Sequence, residues 1–284
     1  LAVKAPDEAV VGLIAGQGRL PFNVAEGIRR AGKKIACVGI AGNAEPELAD
    51  LCDFYRPVPI SRLGTWIKWL RRFGARETIM VGRVAKADLH KAGLLNLVLS
   101  YLPDWRVLRI TAKILRSDWQ DDTVLNAISD ELQTGGITLI DSTQYSTEHL
   151  AESGIMTRIK PGERMMADIE YGWDIVKKLG EFDVGQAIAV KNREVIAVEA
   201  IEGTAEMIER AGKFCRSGGW TLIKTAKPGQ DMRFDVPCIG ADTIKDLKEN
   251  KAGCVVVEAG KTFIIDKPET LALADKLKIP VYGH

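Results

Sequence analysis

A short apolar run, Val10–Ala15, and three further strand-like segments, Lys34–Ile40, Phe54–Val58 and Thr78–Val81, alternate with segments that read as helices. This alternation leaves few architectures open, because strands separated by helices pack as a parallel sheet covered by those helices. Pro21 opens a helical stretch to about Arg30, and Glu45–Leu51 and Leu63–Phe73 read as the next two helices. A helix over Asp122–Leu132 and a strand at Ile137–Ile140 complete a Rossmann-like α/β domain, residues 1–158.

The pattern changes near Gly154–Gly162. A helix from about Met166 to Leu179 is followed by Ala187–Val190 and Val195–Ala200, which read as a hairpin around Lys191-Asn192-Arg193. A helix at Ala205–Ala211, a strand at Thr221–Lys224 and a helix at Thr243–Asn250 come next. Cys254–Val257 with Thr262–Ile265 reads as a second hairpin, and Pro268–Leu277 as a last helix before Pro280–Tyr282. Residues 159–284 are therefore expected to form a C-terminal α/β domain with hairpins. A chain of 284 residues is long for one core and suits two domains.

Apolar residues make up 46% and charged residues 27%, the balance of an ordinary globular protein. The net charge of +1, from 39 basic and 38 acidic side chains, argues against a general nucleic-acid binder. No stretch approaches the roughly 20 apolar residues of a membrane span, and the N-terminus lacks the pattern of a secretion signal. Cys37, Cys52, Cys215, Cys238 and Cys254 are an odd set without CxxC spacing. Neither a zinc cluster nor a disulfide framework is expected, and a reducing compartment fits. The histidines are His90, His149 and His284, without ligand spacing, so any bound metal is expected on carboxylates and to be a hard cation.

Several polar segments carry chemistry in one reading and only structure in another. Gly16-Gln17-Gly18 lies between a strand and a helix, where backbone N–H groups can meet a phosphate; the third glycine of the dinucleotide fingerprint is replaced by Pro21, and a turn without ligand is the alternative. Lys224–Asp235 holds three cations, two carboxylates and an amide within twelve residues. Its cations can neutralise a diphosphate and its Asp pair can hold a cation or orient water, whereas the plain reading is a solvated loop. Glu199 and Glu202 stand at a strand end where they can reach a shared metal; otherwise Glu202 is a surface acid and Thr204 an N-cap. Asp121-Asp122-Thr123 reads as a helix cap, and Glu258-Ala259-Gly260-Lys261-Thr262 as a hairpin turn in which Lys261 can also face a phosphate. Ala92–Leu108 is rich in leucine and is expected in a core or dimer interface, ahead of an acyl-chain or membrane-facing patch.

Together these segments resemble the UDP-2,3-diacylglucosamine diphosphatase family of lipid A biosynthesis, the type of alpha-proteobacteria. The resemblance rests on Gly12–Gly16 with Leu20-Pro21, Asp121-Asp122-Thr123, Asp183-Val184-Gly185-Gln186, Glu199–Thr204, Lys227–Pro237 and Glu258–Thr262. It implies cytoplasmic, Mg²⁺-dependent hydrolysis of the substrate's diphosphate, with Mn²⁺ as the other cation, giving UMP and 2,3-diacylglucosamine 1-phosphate. It also implies two domains with the lipid held between them, a homodimer, and peripheral contact with the inner membrane. Joined to the local chemistry, it assigns catalysis to Asp231, Asp235 and Lys227, with Asp231 first because it follows Gly229 and Gln230 in an open turn. Substrate binding is assigned to Gly16, Gly18, Lys224, Gln230, Arg233, Thr204 and Lys261, and the metal to Asp231, Glu199 and Glu202.

Two other readings compete. A nicotinamide-dependent oxidoreductase needs an acidic ribose contact after the second strand, where Glu45 is the nearest acid. A nucleotide-sugar sensor binds without metal or turnover.

Overall fold

The computed structural model describes residues 9–83, 103–114 and 121–284. His90 and most of the leucine-rich run Ala92–Leu108 lie outside the described residues, as do the side chains of Asp121-Asp122-Thr123. The chain divides into two units: residues up to Ser146 together with Met232–Phe234, and Thr147–Asp231 with Asp235–His284.

In the first unit β1 (Val10–Ala15), β2 (Lys34–Ile40), β3 (Phe54–Val58), β4 (Glu77–Val81) and β5 (Thr138–Leu139) form one parallel sheet in the order β3-β2-β1-β4-β5. β1 is apolar throughout, and β2 is apolar after Lys34, because both faces are covered. Val11, Leu13 and Ala15 of β1 pack with Ile35 and Cys37 of β2 against Val24, Ala25 and Ile28 of α1 (Leu20–Arg30). Ile14, Ala36, Val38 and Ile40 point the other way, onto Leu63, Trp66, Ile67 and Leu70 of α2 (Leu63–Arg72). The i, i+3, i+4, i+7 spacing of those four residues makes one stripe of the helix. Between α1 and β3, Pro46–Leu51 is a 3-10 helix, shorter and tighter than the helix expected there.

Asp104 organises the next helices. Its Oδ1 accepts the Arg106 and Val107 N–H groups, both at 3.1 Å, at the start of α3 (Trp105–Ile114). Its Oδ2 accepts Gly64 N–H at 2.5 Å in the first turn of α2. Arg106 and Arg109 then reach the buried Glu131 of α4 (Asp121–Thr134), at 2.6 and 3.2 Å. Within this unit Phe234 packs on the α2-side core, and Ser142 N donates to Met232 O at 3.2 Å.

The second unit carries a mixed sheet in the order β6-β13-β11-β9-β7-β8. Its strands are β6 (Gly154–Ile155), β7 (Ala187–Lys191), β8 (Glu194–Val198), β9 (Thr221–Lys224), β11 (Cys254–Val257) and β13 (Val281–Gly283). Strands β9, β11 and β13 are parallel, while β7 and β8 run antiparallel to their neighbours. One face meets α5 (Glu163–Glu181) through Ile188, Val190, Ile223 and Val256. The other, through Ala187, Ala189, Leu222, Val255 and Val257, meets α6 (Thr204–Phe214), α7 (Ala241–Glu249) and α8 (Lys267–Leu277).

The β7–β8 hairpin forms as expected. Asn192 and Arg193 have φ of 52° and 60°, the two positive values of a type I′ turn, whose twist matches that of the strands. The second hairpin does not form. Cys254–Val257 is flanked on both sides by parallel strands, β9 and β13, so no edge remains for a returning strand. Residues Phe263–Ile264 instead form β12, parallel to β10 (Cys238–Ile239) in a separate two-stranded sheet.

Because one Asp104 carboxylate serves three backbone N–H groups, Asp104→Ala is expected to cost about 1–2 kcal/mol. Urea titration followed by circular dichroism checks this; an unchanged midpoint refutes it.

Candidate functional site

In an open parallel sheet, ligands favour the carboxyl ends of strands where the order reverses, here between β1 and β4. Gly16 and Gly18 lie there, but their backbone groups have protein partners. Gln17 N donates to Arg83 O at 2.7 Å and Arg83 N to Gln17 O at 2.9 Å. A Cβ on Gly16 would come within 2.6 Å of Arg83 O, so this glycine is required by the close approach of the two chain segments. Gly18 N–H is shared by both carboxylate oxygens of Glu45, at 2.9 and 3.2 Å. The acid that a nicotinamide reading would place on a ribose is thus held at the glycine turn.

In the second unit three expected residues meet. Lys224 is paired with Ala187, and Glu199 N–H donates to Ala187 O at 2.8 Å, so the three form one row across β9, β7 and the end of β8. Residues in a row project to one face, and the small Ala187 leaves room there for the start of α6. Thr204, first residue of α6, fills that room: its hydroxyl donates to Glu199 Oε1 at 2.6 Å and accepts from Lys224 Nζ at 3.0 Å. The N-cap of α6 is Gly203, with no side-chain cap bond, so the Thr204 hydroxyl serves this bridge. Lys224 Nζ also donates to Cys238 O at 3.1 Å, and Gln186 N–H donates to Glu199 Oε2 at 3.3 Å. Both Glu199 and Lys224 are buried. Glu202 turns elsewhere, pairing with Arg210 at 2.5 Å and accepting Ala200 N–H at 3.2 Å.

The polar segment after Lys224 is an ordered loop. Ala226 N–H donates to Oε2 of the buried Glu258 at 2.9 Å, and Ala226 O accepts from Lys177 Nζ at 3.3 Å. Lys177 and Glu258 are themselves paired at 3.0 Å, and Lys261 adds a second cation at 2.9 Å. Lys227-Pro228-Gly229-Gln230 is a type II turn, with Gly229 at φ 74° and Gln230 N–H donating to Lys227 O at 3.1 Å. Lys227 N–H donates to Gln230 Oε1 at 2.8 Å, the Lys227 ammonium pairs with Asp183, and Gln230 Nε2 donates to Asp235. An α-turn, closed by Asp235 N–H to Asp231 O at 3.2 Å, then sets positions 231 and 235 one helical turn apart along the backbone. Arg233 belongs to the first unit, where its guanidinium lies 3.4 Å from Ser129 Oγ and over the Phe234 ring.

The expected residues therefore fall into groups. Gly16, Gly18 and Arg233 belong to the first unit. In the second, Glu199, Thr204 and Lys224 form a hydrogen-bonded chain; Lys227, Gln230, Asp231 and Asp235 share one loop; Lys261 joins Glu258. The carboxyl ends of β9 and β11 carry Lys224 and, one residue beyond Val257, Glu258. Gln186 Oε1 and Thr225 Oγ1 are buried there without a partner among the described residues, which leaves hydrogen-bonding capacity. Lys177 and Glu258 were not among the expected site residues. An acid directly after the all-apolar run Cys254–Val257 is a signal for Glu258; a lysine within a long helix gives none for Lys177.

His149 is a core residue, its ring stacked on Phe263 with centroids 5.2 Å apart. All five cysteines are free, and burial pushes the Cys254 thiol up to about 12, which leaves it no nucleophilic thiolate at neutral pH.

Burial alone would raise the Glu258 carboxyl, but hydrogen bonds from Lys261, Lys177 and Ala226 N–H outweigh it and hold it below its ordinary 4.5. A depressed carboxyl stabilises the fold above its unfolded value and loses that contribution as pH falls through the folded one. Wild type is thus expected to melt above Glu258→Gln at about pH 7, with the difference shrinking toward about pH 3.5. A gap between the two melting temperatures that stays constant over this range refutes it.

Comparison with known proteins gives this arrangement a family. Residues 10–149 match the LpxI N-terminal domain and residues 152–282 the LpxI C-terminal domain. The chain is 30% identical over 284 residues to the UDP-2,3-diacylglucosamine pyrophosphatase LpxI of Caulobacter vibrioides, across 96% of each chain. The chain belongs to the LpxI family.

Proposed function

We propose that this LpxI-family hydrolase cleaves the diphosphate of UDP-2,3-diacylglucosamine in lipid A synthesis, releasing UMP and 2,3-diacylglucosamine 1-phosphate with a divalent cation, Mg²⁺ or Mn²⁺. One observation carries this reading: Asp231 and Asp235 stand one α-turn apart in a loop fixed at the carboxyl ends of β9 and β11, and that loop begins at the buried Lys224.

The donor set suits a hard cation. Mg²⁺ is commonly held by one or two carboxylates, with water and substrate phosphate completing its shell. Asp231 and Asp235 are such a pair, and among the described residues no larger group of acids, thiols or imidazoles gathers. Glu199 and Glu202 lie outside this loop, Glu199 in the bridge to Thr204 and Glu202 turned to Arg210. When bound, the cation supplies charge neutralisation on the diphosphate oxygens.

The chain's own groups do the rest. Two of the three N–H bonds of Lys224 go to Thr204 and Cys238, which aims the third at a phosphate oxygen. Thr204 and Glu199 hold that ammonium in place. Lys227 adds a second cation, and Gln230 fixes Asp235. Asp231 orients a water and takes its proton as the water oxygen bonds to phosphorus and the bridging P–O bond breaks. The glycine turn of the first unit has no part in this reading, because Glu45 already occupies Gly18 N–H.

Asp231 acts mainly in the transition state, so Asp231→Ala is expected to lower kcat by roughly 10²-fold or more while substrate still binds. Chelator is expected to abolish UMP release and Mg²⁺ to restore it. A folded Asp231→Ala protein with near wild-type kcat excludes Asp231 from this role; full activity in excess chelator excludes the cation.

A further inference from the structure

We propose that Lys177 and Glu258 are positioning residues for the hydrolysis: an ion pair that grips both backbone groups of Ala226 and thereby places the loop carrying Asp231. The inference rests on the role given to that loop above.

Four bonds define the grip. Glu258 Oε2 accepts Ala226 N–H at 2.9 Å, Lys177 Nζ donates to Ala226 O at 3.3 Å, and the same ammonium donates to both Glu258 oxygens, at 3.2 and 3.0 Å. Ala226 is itself buried, so its peptide groups cannot turn to water if either partner is lost. Both anchors are on rigid elements: Lys177 is within the 19-residue helix α5, and Glu258 directly follows the inner strand β11. One turn along α5 from Lys177, a Cβ at Gly180 would come within 3.1 Å of Pro228 Cδ, so the helix face is cut back for the loop to lie against it.

From Ala226 to Asp231 the chain has little slack. Pro228 fixes its own φ, Gly229 supplies the positive φ of the turn, and Gln230 closes it with its N–H and its side-chain oxygen. A shift at Ala226 therefore carries through to Asp231. The Lys177 side of the pair is partly exposed while Glu258 is buried, and such a pair adds little net stability compared with apolar residues of similar volume, so geometry is the better account of this one.

The test uses the full chain. Lys177→Met, Glu258→Gln, the double variant and Lys177→Arg are assayed for UMP release, and exchange of the 225–235 amides is followed by mass spectrometry without substrate. The expected result is a kcat loss of roughly tenfold or more with KM within a few-fold, faster exchange in that segment, and a double variant no worse than the more damaged single one. Lys177→Arg, which keeps the pair, is expected to recover most of the kcat. If Glu258→Gln fails to fold, the two Lys177 variants carry the test. Wild-type kcat and exchange in Lys177→Met overturn the proposal, as does a loss confined to KM. Wild-type protein that releases no UMP overturns the functional reading and the catalytic half of this one; unchanged exchange then also removes the grip on Ala226.

Discussion

Lys224 pairs with Ala187 on one side and with Val257 on the other, and this register decides which polar groups meet in the second unit. Side chains alternate faces along a strand, so a slip of one residue would turn Lys224 away from Thr204 and put Ile223 or Thr225, neither charged, in its place. The slip is resisted from both faces: Leu222, Val255 and Val257 are committed to the core under α6–α8, and Ile223 and Val256 to the core under α5. Packing thus fixes the register, and the register fixes the chemistry.

Where the parallel strands end, the chain changes from apolar to charged within a residue or two. Charges so close to a core are tolerated only when answered, and here each is answered locally. Lys224 has Thr204 and a carbonyl; Glu199 has a hydroxyl and an N–H; Glu258 has two ammonium groups and the Ala226 N–H. These partners come from β8, α6, β9, β11 and α5, so the cluster also ties distant parts of the chain together.

Much of this was legible in the sequence. The central strands of the first unit carry apolar runs, Val10–Ala15 and residues 35–40, and the strand–helix alternation along the chain leaves a parallel sheet as the natural outcome. The Asn192-Arg193 turn announced its hairpin because hairpin pairing is local. The pairing of Phe263–Ile264 was not legible: its partner is Cys238–Ile239, and nothing in two apolar residues states which distant strand they will join. The candidate site divides along the same line. Glu199, Thr204 and Lys224 flank strand and helix ends, where sequence patterns point. Glu199 and Glu202, three positions apart, invited a shared partner, yet the turn between them sends Glu202 to Arg210 within α6. Lys177 is legible only through its contact with Ala226, which is a property of the folded chain.

The Gly18–Glu45 bond has a consequence for selectivity. A glycine N–H in the turn between a strand and the following helix is a group through which folds of this strand order commonly meet phosphates. Here the carboxylate already holds that N–H, at 2.9 Å, on a residue of the same chain. A phosphate approaching that N–H meets a tethered carboxylate and its negative charge first, so the first unit has the strand order of a nucleotide binder with an internal anion already on its glycine turn.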